Sequence, residues 1–307
     1  MAATTAPAGG NAILSPVHLS FAPRLPYLST RPHASAMTIL PRLNVRALNL
    51  HRYLPRRSFF PVAAAVRQDT TVWSPAPLSL VEGAAQSLFN VSVDLSDCPD
   101  VATSFTRPGQ YLQLRVPTVP KPVFLAIASS PSSRGEMEFL VKSVPGTTAE
   151  ALCGLRQGDL VELSMVMGKG YDIDQISPPE EFPTVLLFAS GAGISPIRSL
   201  IEWGFGADKR SDVRLYYGTS NLEQMAYQDK FKGWESSGIK IVPVLSEPDD
   251  NWNGERGYVQ DAFGRDKRIS DPQSTGAVLC GPKEMTEAIV SLLTGEGVSS
   301  DKILDNL

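Results

Sequence analysis

Apolar and polar residues alternate along several short segments in the first half of the chain. These segments are 88–95, 111–116, 123–128, 137–141 and 160–163. Alternation and brief apolar runs of this kind are typical of β-strands, and turns containing Pro, Gly or Ser separate them. The pattern predicts a small antiparallel β-barrel or sandwich.

Beyond Pro178 and Pro179 the pattern changes to apolar runs that alternate with helical periodicity. The runs are 185–189, 213–217, 239–245 and 277–280, and helical spacing follows them near 195–203, 223–234, 258–263 and 282–293. Strands that are apolar at every position are typical of a parallel sheet covered by helices on both faces. We therefore predict an α+β two-domain protein, in which an antiparallel β-barrel precedes an α/β parallel-sheet domain with its ligands beyond the carboxyl ends of the strands.

A glycine turn joins the first of these parallel strands to its helix. The Gly-Ala-Gly tripeptide at 191–193 would let backbone N–H groups approach an anion such as a pyrophosphate. Ser195 is predicted to cap the helix and Pro196 to occupy its first position. A turn without a ligand is an equally good interpretation of this motif alone, because Pro196 replaces the third glycine of the usual fingerprint.

Small residues also follow two other strands of the predicted sheet. They are Gly218, Thr219, Ser220, Gly281 and Pro282. One glycine after a strand is usually only a turn, but several at the ends of parallel strands indicate a shared ligand cleft.

A short helix is predicted to interrupt the barrel after Gly146. The stretch 147–155 (TTAEALCGL) carries helix-forming residues. Its first N–H groups are predicted to be capped by Thr147, or to bind an anion if a ligand lies nearby.

The first 66 residues differ in composition from the rest of the chain. They contain no Asp or Glu, seven Arg and all three histidines, with many Ala, Ser and Pro. This composition is typical of an organelle transit peptide cleaved near 62–65; it favours the chloroplast, with the mitochondrion as second choice, and a retained disordered tail is the alternative. We therefore predict a leader at 1–66, the barrel domain at 67–177 and the α/β domain at 178–307.

Removal of the leader changes the chemistry that the chain can support. The remaining residues carry 21 basic and 32 acidic side chains, a formal charge of −11, and no histidine. The acidic body argues against nucleic-acid binding, and the lack of histidine excludes Ser-His and Cys-His nucleophiles and histidine-ligated metals. Cys98, Cys153 and Cys280 match no zinc or iron–sulfur motif, and no apolar run is long enough to span a membrane.

Together these motifs resemble those of the ferredoxin–NADP reductase superfamily of flavin-dependent oxidoreductases. The resemblance covers about residues 75–307 and rests on the motifs 191–196 (GAGISP), 217–218 (YG), 249–259 (DDNWNGERGYV) and 280–285 (CGPKEM). It implies a FAD-binding barrel, an NAD(P)-binding α/β domain, and electron transfer to an acceptor that the sequence does not identify.

The resemblance also implies roles for residues of the α/β domain. Gly191 and Gly193 would contact the pyrophosphate of the pyridine nucleotide, and Cys280 would lie near the nicotinamide ring. Without the family, Cys280 is interpreted as a small buried hydrophobic residue. The other residues predicted to contact the nucleotide are Ser195, Pro196, Gly218, Thr219, Ser220, Gly281, Pro282 and Met285. No Arg or Lys is adjacent to 219–221, which favours NAD slightly over NADP.

The barrel departs from the family pattern at the flavin. Where related proteins have Arg-x-Tyr-Ser, segment 123–126 reads VFLA, and the serine of a later Gly-x-x-Ser is Ala149. Lys121 and Thr148 are candidate substitutes, although an ammonium does not reproduce a bidentate guanidinium. The family's C-terminal aromatic residue is Leu307 here. The residues predicted to contact FAD are Leu125, Ala126, Ile127, Ser129, Gly146, Thr147 and Thr148.

Two main hypotheses for the function follow. The first is an NAD(P)H-dependent flavin oxidoreductase, in which FAD and NAD or NADP supply the chemistry and no side-chain acid or base is needed. The alternative is a flavin-free pyridine-nucleotide-binding or regulatory protein with a degenerate flavin barrel. A purely structural role is a third interpretation.

Overall fold

The computed structural model describes residues 71–266 and 269–306. The predicted leader at 1–66 and the terminal Leu307 lie outside the described residues. No helix in the described part of the chain combines the length and the apolar character needed to cross a bilayer.

The first half of the described chain forms six antiparallel strands and two short helices. In chain order these are β1 (Ser74–Ala85), β2 (Leu88–Asp94), α1 (Pro99–Ser104), β3 (Tyr111–Arg115), β4 (Val123–Ala126), β5 (Glu136–Lys142), α2 (Thr148–Cys153) and β6 (Leu160–Leu163). The strand order is β4-β3-β6-β1-β2-β5. The sheet is barrel-like but not closed, and an isolated bridge between Ile127 and Phe139 joins its two edges.

Alternation along the strands builds the core of this barrel. On β3, Leu112 and Leu114 are fully buried, whereas the residues between and beside them are partly exposed. On β5, Met137, Phe139 and Val141 are also buried. The strands predicted from alternation at 111–116 and 137–141 are therefore confirmed, and their apolar faces pack together in one cluster.

Strand β1 was not predicted, because its register slips. Its pairing with β2 shifts between Leu78 and Leu80 and again between Gly83 and Ala85. A bulge moves the residues that follow it to the opposite face of the sheet. Leu78 is therefore buried while Leu80 is 38% exposed, and the simple alternation that identifies a strand is lost.

The second half of the described chain forms a parallel sheet with helices on both faces. Its elements are β7 (Thr184–Ser190), α3 (Ile194–Trp203), β8 (Asp212–Thr219), α4 (Phe231–Ser236), β9 (Ile239–Leu245), β10 (Glu255–Arg256), α5 (Val259–Asp266), β11 (Thr275–Cys280), α6 (Lys283–Gly295) and β12 (Ile303–Leu304). The strand order is β10-β9-β8-β7-β11-β12. The two-residue strands β10 and β12 are too short to give a sequence pattern.

Strand β7 shows why these central strands are apolar throughout. Val185 and Leu187 pack into the cluster that contains α3 and α4, whereas Leu186 and Phe188 pack into the cluster that contains α5 and α6. All four side chains are fully buried. The predicted parallel sheet with two covered faces is therefore confirmed.

The predicted start of α3 is wrong. Residues Gly191–Gly193 form a single 3-10 turn that runs directly into the helix, so Gly193 precedes the first helical residue. Ser195 and Pro196 consequently lie inside the first turn of α3, where Ser195 does not act as the cap.

The helix predicted at 223–234 is also interrupted. Two 3-10 turns, Leu222–Gln224 and Gln228–Lys230, precede the short helix α4. Tyr227 adopts a left-handed backbone conformation with φ of 62°, which a continuous α-helix does not permit. The apolar residues of 223–234 therefore keep helical spacing although the backbone does not form one continuous helix.

Candidate functional site

Two adjoining cavities open where the barrel meets the carboxyl edge of the parallel sheet. The sheet-edge cavity, about 860 Å³, lies beyond β7 and β8 and beside the starts of α5 and α6. The barrel cavity, about 830 Å³, lies between β4, the end of β5 and the starts of α2 and α3. Both have the size of small-molecule and cofactor sites. Lys142, Ser190, Ala192 and Pro282 line both cavities, which therefore meet at a common wall.

The glycine turn after β7 separates the two cavities. Gly191 has φ of 53°, and a Cβ added there would project into open space, so its backbone is accessible from the sheet-edge cavity. A Cβ on Gly193 would lie 2.4 Å from the carbonyl oxygen of Cys280. Gly193 is therefore required for the close approach of the turn to the end of β11.

The sheet-edge cavity gathers residues from three strand ends, as the sequence predicted. Of the residues expected to contact a nucleotide, those that line it are Gly191, Gly218, Thr219, Ser220, Pro282 and Met285. Gly218 is needed here because a Cβ would meet the side chain of Val259 at 2.7 Å. A cavity is present at the carboxyl edge of the sheet, where the sequence predicted a shared ligand cleft.

Several lining residues of the sheet-edge cavity were missed. They include Gln86 and Lys142 from the barrel and Ser246, Tyr258 and Gln260 from the α/β domain. The side-chain oxygen of Gln260 is buried and has no hydrogen-bond partner within residues 71–266 and 269–306. A buried polar atom without a partner is costly, so this oxygen is available to accept a hydrogen bond from a ligand. Tyr258 lies within the motif at 249–259, whereas no motif marks the other four residues, which tertiary packing brings together.

The barrel cavity gathers most of the remaining predicted residues. Those that line it are Leu125, Ala126, Gly146, Thr147, Thr148, Gly193, Ser195, Cys280, Gly281 and Pro282. Leu140 and Val141 from β5 add apolar surface that the sequence analysis did not identify. The space beside Leu125 and Ala126 is open rather than filled by the protein's own side chains.

Three predicted cofactor contacts line neither cavity. Ile127 is fully buried in the barrel core. Ser129 is buried at the junction of the domains, where its carbonyl oxygen accepts a hydrogen bond from the Ser199 hydroxyl at 2.7 Å. Pro196 is buried in the first turn of α3. These residues hold the structure around the cavities instead.

The hydroxyl of Ser195 is a buried polar group on the wall of the barrel cavity. Ser195 is 1% exposed, and its Oγ has no hydrogen-bond partner in the described part of the chain. Since Ser195 lies inside α3 and does not cap it, this hydroxyl is free to bond a ligand group.

The hydroxyl groups at the start of α2 are already engaged by the protein, as is one backbone N–H before it. The Gly146 N–H donates to the Glu150 carboxylate at 2.7 Å, and the Thr147 hydroxyl donates to the Val144 carbonyl at 2.7 Å. The Thr148 hydroxyl donates to the carbonyl of Lys121. Thr147 therefore stands at the N-cap position without capping the helix through its side chain, which corrects the predicted role of its hydroxyl.

Cys280 ends β11 beside both the glycine turn and the barrel cavity. Burial raises the pKa of its thiol from 9.0 to about 12, and hydrogen bonds with Tyr171 and Asn306 offset this only in part. Tyr171 also donates a hydrogen bond to the Leu279 carbonyl at 3.3 Å. Cys280 is therefore a neutral thiol near pH 7, suited to shape a pocket rather than to act as a nucleophile.

A buried arginine joins the two domains behind the cavities. Arg198 on α3 forms ion pairs with Glu138 on β5 and with Glu202, the latter at 2.7 Å, and its guanidinium lies 4.8 Å from the centre of the Tyr227 ring. Burial disfavours the charge of Arg198, but the hydrogen bond to Glu202 and the nearby carboxylates outweigh burial and raise its pKa. Because α3 follows the glycine turn directly, this joint fixes the turn against the barrel.

Comparison with known proteins adds an independent line of evidence. Residues 187–291 match the model of the oxidoreductase NAD-binding domain family. The chain is 50% identical over 282 residues to fruit protein pKIWI502 from Actinidia deliciosa, with 89% of each chain covered. It is 30% identical over 206 residues to the reductase component of propane 2-monooxygenase from Rhodococcus jostii (strain RHA1), covering 64% of this chain and 54% of that protein. The chain thus spans about half the length of the latter relative.

The fold is also similar to that of a solved structure. A ferredoxin NADP⁺ reductase from Neisseria gonorrhoeae with bound FAD and NADP matches with a TM-score of 0.62 at 18% identity, covering 76% of this chain and 97% of that chain. The likeness confirms the predicted order of a flavin-type barrel followed by a parallel-sheet domain.

Proposed function

This chain belongs to the ferredoxin–NADP reductase superfamily, and from that premise we propose that it is an NAD(P)H-dependent flavin oxidoreductase. Hydride would pass from a pyridine nucleotide in the sheet-edge cavity to a flavin in the barrel cavity, and electrons would then pass to an acceptor. The observation that carries the proposal is the common wall of the two cavities, at Ser190, Ala192 and Pro282.

The sheet-edge cavity fits a pyridine nucleotide. The accessible backbone of Gly191 and the small residues at the end of β8 allow close approach of a pyrophosphate and a ribose. Gln260 supplies an unsatisfied acceptor, and Tyr258, which is 63% exposed, supplies an aromatic surface for a base. Residues Thr219 to Asn221 have no adjacent Arg or Lys in sequence, which favours NADH slightly over NADPH.

The barrel cavity fits the ring system of a flavin. Leu125, Leu140 and Val141 provide apolar surface, and the unpartnered Ser195 hydroxyl provides one directed polar group. When bound, the flavin supplies the hydride-accepting chemistry, while the chain supplies placement. Cys280 and Pro282 would form the wall nearest the nicotinamide, where the protonated thiol adds bulk without charge.

The role of the chain is therefore mainly geometric. Hydride transfer requires the donor and acceptor atoms to approach within roughly 3–3.5 Å with aligned orbitals. Arg198 and Ser199 hold α3 to the barrel, so that the turn between the cavities is fixed relative to both. No histidine occurs after residue 51, in agreement with a reaction that needs no side-chain base.

A flavin-free nucleotide-binding protein is the second candidate. It is favoured by the replacement of the family's Arg-x-Tyr-Ser with Val123 to Ala126, and by the engagement of the Thr147 and Thr148 hydroxyls with protein carbonyls. In this alternative the barrel is a scaffold, and the sheet-edge cavity alone binds a ligand.

We also propose a chloroplast as the site of action. The support is the composition of residues 1–66, which lack acidic residues and are rich in Arg, Ser, Ala and Pro. Import of a fusion of residues 1–66 to a fluorescent protein into chloroplasts would test this, with mitochondrial import as the competing result.

Ligand-dependent stability separates the two candidate functions. The full-length protein is heated alone, with NADH or NADPH, and with FAD, because a ligand that binds only the folded state raises the melting temperature. Stabilisation by both ligand classes supports the oxidoreductase. Stabilisation by the nucleotide alone supports the flavin-free alternative, and stabilisation by neither contradicts both.

A further inference from the structure

We infer that the barrel cavity binds the isoalloxazine ring without selecting for the diphosphate and adenosine of FAD, so that free flavins are exchangeable substrates of this protein. This inference rests on the proposed function and names the acceptor of the hydride as a diffusible flavin. It follows from a difference between the two ends of the barrel cavity: the outer end lies at the start of α2, and the inner end lies beside Leu125, Leu140 and Ser195.

At the outer end of the barrel cavity, formed by the start of α2, the Gly146 N–H and the threonine hydroxyls are already used. The Gly146 N–H bonds the Glu150 carboxylate, and the hydroxyls of Thr147 and Thr148 donate to the carbonyls of Val144 and Lys121. A diphosphate placed there would have to displace these bonds. Each displaced group would leave a protein acceptor without its donor, which offsets the gain from the new contact.

The charge at this end also disfavours a diphosphate. The diphosphate of FAD carries two negative charges, and strong binding of such a group relies on charge-assisted bonds such as those from a bidentate guanidinium. The Glu150 carboxylate already lies against the Gly146 N–H, where it adds a like charge. Among the described residues that line the barrel cavity, the cations are Lys121 and Lys142, and both are exposed. An exposed ammonium in water contributes little to the binding of an anion.

At the inner end, the contacts suit the ring. Leu125, Leu140 and Val141 are apolar, and the Ser195 hydroxyl has no partner among the described residues. Riboflavin, FMN and FAD carry the same ring, so each can make these contacts equally. The affinity for each flavin would thus depend on the shared ring, and the diphosphate and adenosine of FAD would add little to it.

The reaction then consumes and releases a flavin in each cycle. A hydride leaves C4 of the dihydronicotinamide and forms a bond to N5 of the oxidised flavin, while a solvent proton completes the reduced flavin. NADH or NADPH is oxidised to NAD⁺ or NADP⁺, and the two-electron-reduced flavin leaves as product. Proteins that consume reduced flavin would form the next step.

Equilibrium binding of three flavins tests the inference. Dissociation constants of riboflavin, FMN and FAD for the full-length protein are measured by quenching of flavin fluorescence. We expect the three constants to agree within about fivefold, which is a small difference on the free-energy scale of binding. We also expect gel filtration to remove the bound flavin. A preference for FAD above about fivefold, or FAD retained through gel filtration, would overturn the inference and leave the proposed function intact.

Restoring a diphosphate anchor provides the matched variant. The double substitution Val123→Arg and Ala149→Ser places a guanidinium and a hydroxyl beside the outer end and should tighten FAD relative to riboflavin by about tenfold. The control is Leu160→Arg on β6, which adds the same charge at an exposed position away from both cavities and should leave all three constants unchanged. If the double variant does not fold, the ratio of the three dissociation constants in the wild type still tests the inference. Failure of all three flavins to bind would overturn both the inference and the proposed oxidoreductase.

Discussion

The two cavities differ in whether backbone or side chains form their binding surface. The sheet-edge cavity depends on Gly218, where a side chain cannot be accommodated, and on the exposed backbone of Gly191. The barrel cavity depends on side chains, and those that anchor a flavin in the resembling family are replaced at Val123 to Ala126. A site formed by backbone can therefore be recognised in the sequence from its glycines. A site formed by side chains can keep its volume while substitutions change its chemistry.

Loss of the buried Arg198 ion pairs, which hold α3 to the barrel beside the cavities, should have the largest effect on stability. In Arg198→Met the partly exposed carboxylates of Glu138 and Glu202 lose a buried, charged hydrogen-bond partner, which should cost about 2–3 kcal/mol of unfolding free energy. Urea unfolding followed by far-UV circular dichroism measures the change.

An exposed ion pair supplies the control for that variant. Arg107 pairs with Asp172 at 3.1 Å, and both side chains are nearly half exposed, so Arg107→Ala should cost less than about 1 kcal/mol. Equal costs for the two variants would show that Arg198 does not hold the domains together.

A methyl group at Gly193 should disturb the wall between the cavities. Its Cβ would lie 2.4 Å from the Cys280 carbonyl oxygen, so Gly193→Ala should cost about 1–3 kcal/mol and weaken nucleotide binding. Gly233→Ala is the matched control, because a Cβ there meets nothing within 4 Å and helix α4 should gain rather than lose stability. Isothermal titration with NADH, together with thermal unfolding, compares the two. Full nucleotide affinity in Gly193→Ala would contradict this role.

The buried thiol between the cavities predicts an alkaline loss of stability. The pKa of Cys280 is raised from 9.0 to about 12 by burial, so below pH 9 the thiol is protonated in both folded and unfolded states. Above pH 9 the unfolded thiol ionises while the folded thiol does not, and unfolding becomes easier by about 1 kcal/mol between pH 9 and pH 10. Urea titrations should show this slope in the wild type and a smaller slope in Cys280→Ala. Parallel slopes would mean that Cys280 is exposed to solvent in the native state.

The smallest effect is expected at Gln260. Gln260→Ala removes the unsatisfied acceptor on the sheet-edge cavity and should weaken NADH binding by about 0.5–1.5 kcal/mol while flavin binding is unchanged. Gln175→Ala, which removes an exposed amide that bonds Asp172, should change neither affinity. A loss of flavin affinity in Gln260→Ala would show that the two cavities are not separate sites.

Much of the fold was predictable because burial follows the sequence pattern directly. Most strands of both domains, and the order of barrel and parallel sheet, were predicted from alternation and apolar runs. Strand β1 was missed because bulges break its alternation, and 223–234 was misassigned because Tyr227 turns left-handed within helical side-chain spacing. A bulge thus removes the alternation that identifies a strand, whereas a left-handed residue interrupts a helix without changing its side-chain spacing.

The site was predictable only where a sequence motif marks its residues. The strand-end motifs placed Gly191, Gly218 and Pro282 on the sheet-edge cavity. Lys142 and Gln260 were missed, because they reach the same cavity from distant parts of the chain and carry no motif. Conversely, Ser129 was expected at the flavin but lies at the domain junction, since family spacing does not reveal which way a loop residue points.

The proposal that hydride crosses the wall between the cavities can be tested by one anaerobic mixing experiment. Full-length protein, free flavin and NADH or NADPH are combined while the visible absorption of oxidised flavin is followed. The account predicts bleaching that requires the protein, saturates with nucleotide, and is slowed in Gly193→Ala. Unchanged flavin absorption under conditions where the nucleotide still stabilises the protein would contradict it.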